Sequence, residues 1–290
     1  MVRFLVAVIG GLALGGVYTL IALGLVLAWR ATQTLNFAHG QLILLAAMLA
    51  GYWQSTGGSI AGSALVAAAA TALICVVFYR LVLRRTTGLP PFLPFVATLG
   101  LAAMIESALA IAFGGRRFPI ELGFIPQGTT SIGGARFSSE TLTIAALTVG
   151  LGVAVAATMR WTRIGIQVRA AGQDPVLASQ GGINVHLVHA CSWIAAGVLA
   201  AIAGLAYGST IVVDPSLATI ALAAFPAILL GGLDSFEGAV VGGLIIGLVQ
   251  GLTATYLGSS YTQVVTYALL LVVLLVLPDG LFGSKVVTRL

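Results

Sequence analysis

Charged residues are scarce in this sequence. Only 7% of its 290 residues are Asp, Glu, Lys or Arg, and 59% are hydrophobic, whereas a soluble domain carries about 25% charged residues. This composition excludes an ordinary water-soluble globular protein. It also excludes a disordered chain, which combines low hydrophobicity with high charge. A helix needs roughly 20 apolar residues to cross a bilayer, so the chain length predicts about eight or nine crossings.

Other shortages exclude particular functions. The two cysteines, Cys75 and Cys191, lie within apolar runs, so a disulfide framework is not expected. The single lysine, Lys285, does not belong to a glycine-rich phosphate-binding loop, so we do not expect the chain to hydrolyse ATP. The arginines are scattered rather than gathered in a basic stripe, so nucleic acid is not an expected partner. No cluster of nucleophile, base or metal ligands predicts an enzyme, a metal site or a cofactor.

Nine apolar segments follow one another along the chain, and we predict a helix for each. They are roughly Phe4–Ala28, Gly40–Trp53, Ile60–Tyr79, Phe92–Phe113, Thr141–Met159, Val185–Val213, Leu217–Leu230, Gly238–Leu257 and Thr262–Leu277. The second and the seventh are too short to span alone, and they adjoin polar breaks at Asn36–Gln41 and Gly231–Gly238. Short, interrupted segments in two halves of a chain indicate the substrate site of a transporter.

The distribution of basic residues predicts the orientation. If the loop bearing Arg80, Arg84 and Arg85 lies inside, nine basic residues lie on the cytoplasmic side and four outside. This is the asymmetry that the positive-inside rule describes. We therefore expect loop 160–183 and the C-terminus in the cytoplasm and loop 114–139 outside. The N-terminus is expected outside if each short segment counts as one crossing.

Glycine, in contrast, is abundant, with 37 residues. Several glycines lie four residues apart, which places them on one helix face: Gly11 and Gly15, Gly204 and Gly208, and Gly243, Gly247 and Gly251. Such faces let helix backbones approach closely in lipid. Internal helix packing is the expected use, and a subunit interface is the alternative.

Glu106 is an acidic residue inside an apolar run, fifteen residues into the fourth segment. A charge at the bilayer centre costs roughly 2.5–3.5 kcal/mol on insertion scales. Glu106 therefore either stays protonated or bonded to a neighbouring helix, or it lines a translocation path.

The stretch from Asn36 to Gln41 places three hydrogen-bonding side chains beside Gly40. One interpretation is a polar loop in which Asn36 caps the following helix. The other is a break inside the membrane, where protein or water must satisfy the freed backbone groups. The spacing does not decide between them.

Four stretches in order resemble the signatures of the H-type subunit family of branched-chain amino-acid ABC transporter permeases. They are Asn-Phe-Ala-His-Gly at 36–40, the loop motifs within 163–184, the glycine-rich stretch 230–243 and Leu-Pro-Asp-Gly-Leu-Phe-Gly at 277–283. The resemblance covers nearly the whole chain. It implies an all-α polytopic membrane helical bundle, one permease domain over 1–290, and two discontinuous helices in inverted repeats.

The resemblance also implies a function and partners. We expect a permease subunit that imports amino acids, with leucine, isoleucine and valine as the first candidates, by alternating access. Urea, short amides or aromatic acids are alternative substrates, and an ion-coupled secondary transporter is the alternative from another class. The expected partners are a second, M-type permease in a heterodimer, two ATPase subunits that bind the ATP, and an external binding protein, at the bacterial inner membrane.

The expected site residues form two groups. The substrate path comprises Asn36, Phe37, His39, Gly40, Gln41, Glu106, Gly231, Gly232 and Asp234. The ATPase-coupling loop comprises Arg163, Gly165, Arg169, Ala170, Asp174, Gly182 and Ile183. A short helix is expected in that loop, because Asp174 can cap a turn that has Pro175 at its first position. Helix N-termini at the two breaks are expected to face each other and to offer N–H groups to a carboxylate.

Overall fold

The computed structural model describes residues 2–86, 90, 92–123 and 128–283, which are almost entirely helical. Its eleven α-helices are α1 Val2–Thr32, α2 His39–Ser55, α3 Ile60–Thr86, α4 Phe92–Phe113, α5 Ser139–Trp161, α6 Arg163–Gln173, α7 Pro175–Gln180, α8 Val185–Gly208, α9 Ile220–Gly231, α10 Phe236–Tyr256 and α11 Thr262–Val276. One turn of α3, Tyr79–Leu83, is π-helical, and 3-10 turns at Pro215–Thr219 and Ser259–Tyr261 lead into α9 and α11. The nine predicted apolar helices and the polytopic helical fold are confirmed.

Seven of the described helices are long and apolar enough to cross a bilayer: α1, α3, α4, α5, α8, α10 and, with its preceding turn, α11. The two segments predicted to be short form α2, with 17 residues, and α9, with 12. The length of the chain predicts eight or nine crossings. The described residues form seven helices long enough to cross and two shorter apolar helices. The chain is a multi-pass membrane protein.

A β-hairpin departs from the all-helical prediction. Strand β1, Thr129–Ile132, pairs antiparallel with β2, Ala135–Ser138, and Thr129 lies opposite Ser138. Gly133 and Gly134 connect the strands with φ angles of +57° and +83°. A two-residue hairpin turn with positive φ at both central positions favours glycine there. The predicted external loop is thus partly folded.

The chain forms two compact units, each assembled from separate stretches of sequence. The first unit draws on residues 1–26, 124–156 and 223–290, and the second on 27–123 and 157–222. Helices α1, α5 and α9 each contribute residues to both units. The expected single permease domain over 1–290 stays a prediction.

In the first unit, α1 and α10 pack backbone against backbone along a row of glycines. A Cβ on Gly11 would collide with the carbonyl oxygen of Gly247, and one on Gly15 would meet the backbone of Leu244. A Cβ on Gly251 would in turn meet Gly11. The glycine spacing is therefore confirmed as internal packing, in which dispersion between close backbones stabilises the helix pair.

A buried polar chain joins three helices of the same unit. The Tyr18 hydroxyl of α1 donates to Gln250 Oε1 of α10 at 2.8 Å. Gln250 Nε2 donates to Thr266 Oγ1 of α11 at 3.2 Å. All three residues are at most 8% exposed. The two bonds therefore satisfy polar groups that would otherwise be buried without a hydrogen-bond partner.

The segment after α11 closes the end of α9. The Leu281 N–H donates to the Leu230 carbonyl oxygen at 2.8 Å, and the Phe282 N–H donates to that of Gly231 at 3.0 Å. The last carbonyls of a helix have no partner within it, so this segment satisfies them. Stretches 230–243 and 277–283, separate in sequence, thus meet in the structure.

The glycine row predicts a stability difference. Replacing Gly247 with Leu forces a side chain into the backbone of α1, and overpacking of this kind costs about 1–3 kcal/mol. We expect Gly247→Leu to lower the thermal unfolding midpoint of the purified protein in detergent. Gly150→Leu in α5 is the control, because a Cβ there has nothing within 4 Å. Equal midpoints for the two variants would contradict the packing described.

Candidate functional site

The second unit contains an interrupted helix. Helix α1 ends at Thr32, α2 begins at His39, and residues 33–38 between them are not helical. Trp193, the ninth residue of α8, donates from its indole nitrogen to Thr32 Oγ1 at 3.2 Å. The end of α1 therefore lies beside the first half of α8.

Helix α2 runs along the second half of α8 in the same direction. Gly204 of α8 lies against Ile43, and Gly208 lies against Ala47, so both contacts advance by four residues. His39, one turn before Ile43, therefore lies beside the interior of α8 and not beside its end. Since the 24 residues of α8 extend about 36 Å, the break between α1 and α2 lies within the bilayer. The predicted packing use of Gly204 and Gly208 is also confirmed.

Protein groups satisfy much of the backbone at this break. Thr98 Oγ1 of α4 accepts from the Phe37 N–H at 3.4 Å and lies 3.3 Å from the Leu35 carbonyl oxygen. Asn36 Oδ1 accepts from the Ala38 N–H at 3.1 Å. The residue at the N-cap of α2 is Ala38, which makes no side-chain cap bond. The interpretation of Asn36 as N-cap was wrong, because its side chain stabilises the preceding turn.

Three buried polar atoms near the start of α2 have no hydrogen-bond partner. They are Nδ2 of Asn36 and both ring nitrogens of His39, and each side chain is 1% exposed. Leaving a buried polar group unsatisfied costs about 1–3 kcal/mol, so such atoms in a native protein require an explanation by ligand, water or movement. Their concentration within four residues marks this break as the candidate functional site.

The chain that leads into α9 meets the start of α2. A Cβ on Gly40 would collide with the Ala218 carbonyl oxygen and touch Ala221 of α9. The first turns of α2 and α9 thus lie together, and a helix N-terminus carries free N–H groups and partial positive charge. Sequence reasoning placed the second break at Gly231–Gly238 and missed this non-α-helical stretch, 209–219, before α9.

Helices α2 and α4 are joined beside the break by two polar side chains. Gln41 Nε2 donates to Glu106 Oε2 at 3.1 Å. The rings of Phe37 and Phe95 also pack edge to face, with centroids 4.9 Å apart. The structure therefore gathers six of the predicted path residues around the start of α2: Asn36, Phe37, His39, Gly40, Gln41 and Glu106.

The other three predicted path residues lie in the first unit. Gly231 ends α9, and Gly232 and Asp234 precede α10. Ser235 caps α10 by accepting from the Gly238 N–H at 2.9 Å. Since the 21 residues of α10 suffice to cross a bilayer, Gly232 and Asp234 lie at one end of a span. Their role in a substrate path stays a prediction.

The predicted coupling loop folds into two short helices, α6 and α7, where one was expected. Asp174 caps α7 by accepting from the N–H groups of Val176 and Leu177, both at 2.9 Å, and Pro175 occupies the first position. That part of the prediction is confirmed. Gly182, with a φ of +82°, follows α7, and the Ile183 N–H donates to Ala178.

Helix α6 packs closely on its surroundings. A Cβ on Gly165 would collide with the Met159 carbonyl oxygen, and Arg169 donates to that same oxygen. Gly172 lies against the carbonyl oxygen of Arg30 in the last turn of α1. Ala170 lies on α6, and Arg163 begins it with an exposed side chain. Helices α6 and α7 together are called the α6–α7 elbow below. Through Gly172, the elbow contacts α1 just before the helix break.

Contacts with residues 117 and 118 hold the chain in place just before Pro215. Phe118 and Val213 pair through their backbones, and Arg117 Nε lies 3.9 Å from Asp214 Oδ2. Hydrogen bonds from Ser216, and then the charge of Arg117, lower the pKa of the Asp214 carboxyl below its ordinary value of 3.8. Asp214 thereby caps the 3-10 turn that leads towards the start of α9.

Comparison with known proteins identifies relatives along the full length. Residues 7–274 match a family described as branched-chain amino acid transport system, permease component. The chain is 31% identical to the high-affinity branched-chain amino acid transport system permease protein LivH of Salmonella typhimurium, covering 99% of this chain and 97% of the relative. It is 27% identical to the corresponding protein BraD of Pseudomonas aeruginosa, covering 99% and 98%.

A solved structure shares the fold. PsaBC from Streptococcus pneumoniae in complex with Fab superimposes with a TM-score of 0.51 over 96% of this chain and 93% of that chain. The sequences are 13% identical, so the likeness concerns the fold alone.

The Asp214 cluster predicts a pH dependence. A lowered folded-state pKa means that ionised Asp214 contributes stability at neutral pH, and that the contribution is lost as pH falls through that pKa. We expect Asp214→Ala to lower the unfolding midpoint at neutral pH, and the difference from wild type to shrink under acid conditions. Glu140→Ala, in the half-buried first turn of α5, is the control. A difference that grew on acidification would contradict this assignment.

Proposed function

The chain belongs to the family of branched-chain amino acid transport permease components, and from that premise we propose that it is the membrane-spanning permease subunit of an ATP-binding-cassette importer for branched-chain amino acids. It works by alternating access. It performs no covalent chemistry, and ATP is bound by partner subunits.

The observation that carries this proposal is the helix break within the bilayer. In an unbroken helix, the backbone groups of residues 33–38 would bond to one another along the helix. At the break they bond to the side chains of Thr98 and Asn36 instead, because lipid offers no hydrogen-bond partners. Transporters use interrupted helices to place N–H groups and backbone carbonyls at a substrate site in the membrane. The unpartnered atoms of Asn36 and His39 supply additional donors beside that break.

The contact between the starts of α2 and α9 acts as the closed state of the path. Gly40 and Ala218 are in direct backbone contact, so no solute passes between them in this conformation. Separating the two helix ends would expose the first turns and the Asn36 and His39 side chains together. A carboxylate is the group that such N-termini bind, and every amino acid carries one.

The movement that separates the starts of α2 and α9 begins where an ATPase docks, at the α6–α7 elbow. Its exposed residues, among them Arg163 and Val176, provide a docking face for an ATPase. Gly172 rests on the last turn of α1, and residues 33–38 follow that turn directly. Displacement of the elbow would therefore shift the chain that enters the break.

The partners follow from this mechanism. An M-type permease completes the path as a heterodimer, two ATPases dock below, and an external binding protein delivers the amino acid. The chain lies in the bacterial inner membrane with the α6–α7 elbow and the C-terminus in the cytoplasm. The charged tail residues Lys285 and Arg289 lie outside the described part of the chain.

Reconstitution tests the proposal. The chain is co-expressed with a candidate M-type permease, ATPases and binding protein, purified by a tag on this chain, and placed in liposomes. We expect two ATPases to co-purify and radiolabelled leucine to enter only when ATP is present on the ATPase side. Uptake by this chain alone, driven by an ion gradient, would instead establish a secondary carrier.

Gly40→Leu is expected to block this uptake. The added side chain would enter the contact with Ala218, where overpacking costs about 1–3 kcal/mol; borne by the closing step, that cost is a roughly 5- to 150-fold loss of rate. Gly100→Leu in α4 is the matched control, because a Cβ there meets nothing within 4 Å. Normal uptake by the Gly40 variant would exclude a path at this contact.

Arg163→Glu is expected to uncouple ATP hydrolysis from uptake. Arg163 is exposed, so charge reversal changes the docking face and leaves the fold intact; Arg169→Glu should also uncouple, although Arg169 bonds Met159. The ratio of leucine imported to ATP hydrolysed is the measurement. Arg136→Glu, on the exposed face of β2, should leave the ratio unchanged, and an unchanged ratio for Arg163→Glu would refute the docking role.

A further inference from the structure

Glu106 is the one charged residue of α4, and it lies on an accessible face of that helix. Glu106 is exposed; the residues at i−4, i−3 and i+4 are alanine, and Leu109 at i+3 turns to the buried face. The buried face of α4 is a different one, formed by Thr98, Ile105 and Leu109. The carboxylate is therefore not covered by large side chains of its own helix.

In the described part of the chain, this carboxylate has one hydrogen-bond partner, and that partner is uncharged. Gln41 Nε2 donates to Glu106 Oε2 at 3.1 Å, whereas Arg117 lies beside a different carboxylate, that of Asp214. A carboxylate has about four acceptor positions. One amide bond leaves most of them open.

A carboxylate in this place needs a further partner. A charge inside the bilayer is costly, and one neutral hydrogen bond offsets only part of that cost. The first turn of α2, which carries Gln41, adds favourable partial positive charge. Within the described ranges, no Lys, Arg or His nitrogen pairs with this carboxylate.

We infer that Glu106, held in place by Gln41, binds the α-ammonium group of the transported amino acid; this inference rests on the proposed function. The start of α2 then presents opposite chemistries on two sides. Donors for a carboxylate lie at Asn36 and His39, and an acceptor for an ammonium lies at Glu106. The permease thus selects zwitterionic α-amino acids itself, and disfavours urea, neutral amides and acids without an amino group.

A thiol-protection experiment tests this assignment on the assembled transporter in lipid nanodiscs, without binding protein. The reporter is Ala110→Cys, one turn beyond Glu106, in a chain whose exposed Cys191 is replaced by Ser and whose buried Cys75 is kept. A small, water-soluble thiol reagent modifies the reporter. The probes are leucine, leucinol, which has the ammonium but no carboxylate, and isocaproate, which has the carboxylate but no ammonium.

We expect leucine and leucinol to slow the modification saturably and isocaproate to leave it unchanged. Adding Glu106→Gln should abolish protection by leucinol, Glu106→Asp should retain part of it, and Glu140→Gln should retain all of it. Equal protection by isocaproate and leucinol, or full protection by leucinol in the Glu106→Gln variant, would overturn the inference.

Two further outcomes also decide against it. A reporter thiol that the reagent does not reach would place this face against lipid or protein, and absence of protection by every probe would remove the ammonium site. In both cases ATP-driven leucine uptake by the same preparation keeps the proposed function intact. Loss of that uptake in the wild-type transporter would count against the proposed function itself.

Discussion

The structure depends on one constraint, which is that a backbone interrupted inside lipid must find its hydrogen-bond partners in protein. At the break between α1 and α2, the partners are a hydroxyl from α4 and the amide side chain of Asn36. These groups fix the six non-helical residues in a defined path. The same requirement explains why polar residues occur at all in this apolar stretch. Under the proposed function, the start of α2 meets its substrate with a backbone that the protein has already ordered.

Close backbone contact is the second recurring device. Gly40 against Ala218, Gly172 against Arg30 and Gly11 against Gly247 each leave no room for a Cβ. In lipid, helices gain little from excluding water, so dispersion between close backbones must replace the hydrophobic effect. Two of these contacts join elements of the proposed transport mechanism, and the third joins helices of the first unit. Glycine therefore serves packing in the first unit and, under the proposed function, movement in the second.

Sequence patterns predicted what local physics determines. Apolar run length predicted all nine helices, and Asp174 with Pro175 predicted the cap of α7. The four-residue glycine spacing predicted close helix packing but not that α1 and α10 are partners. The hairpin was missed although Gly133-Gly134 between Thr-rich and aromatic residues is its local signal. The contact of Gly40 with Ala218 had no such signal, because it joins residues far apart in sequence. The choice of Ala38 rather than Asn36 as N-cap depended on a turn whose geometry Thr98 of another helix fixes.

The hydrogen bonds from Leu281 and Phe282 to Leu230 and Gly231 impose an order on biogenesis. About fifty residues separate the donors from the acceptors, and two helices lie between them. The terminal carbonyls of α9 therefore have no partner until residues 281 and 282 leave the ribosome, which happens only after α10 and α11 have been made. Until then the translocation machinery or its water must accommodate them. The end of α9 is thus completed only after α11 has been made.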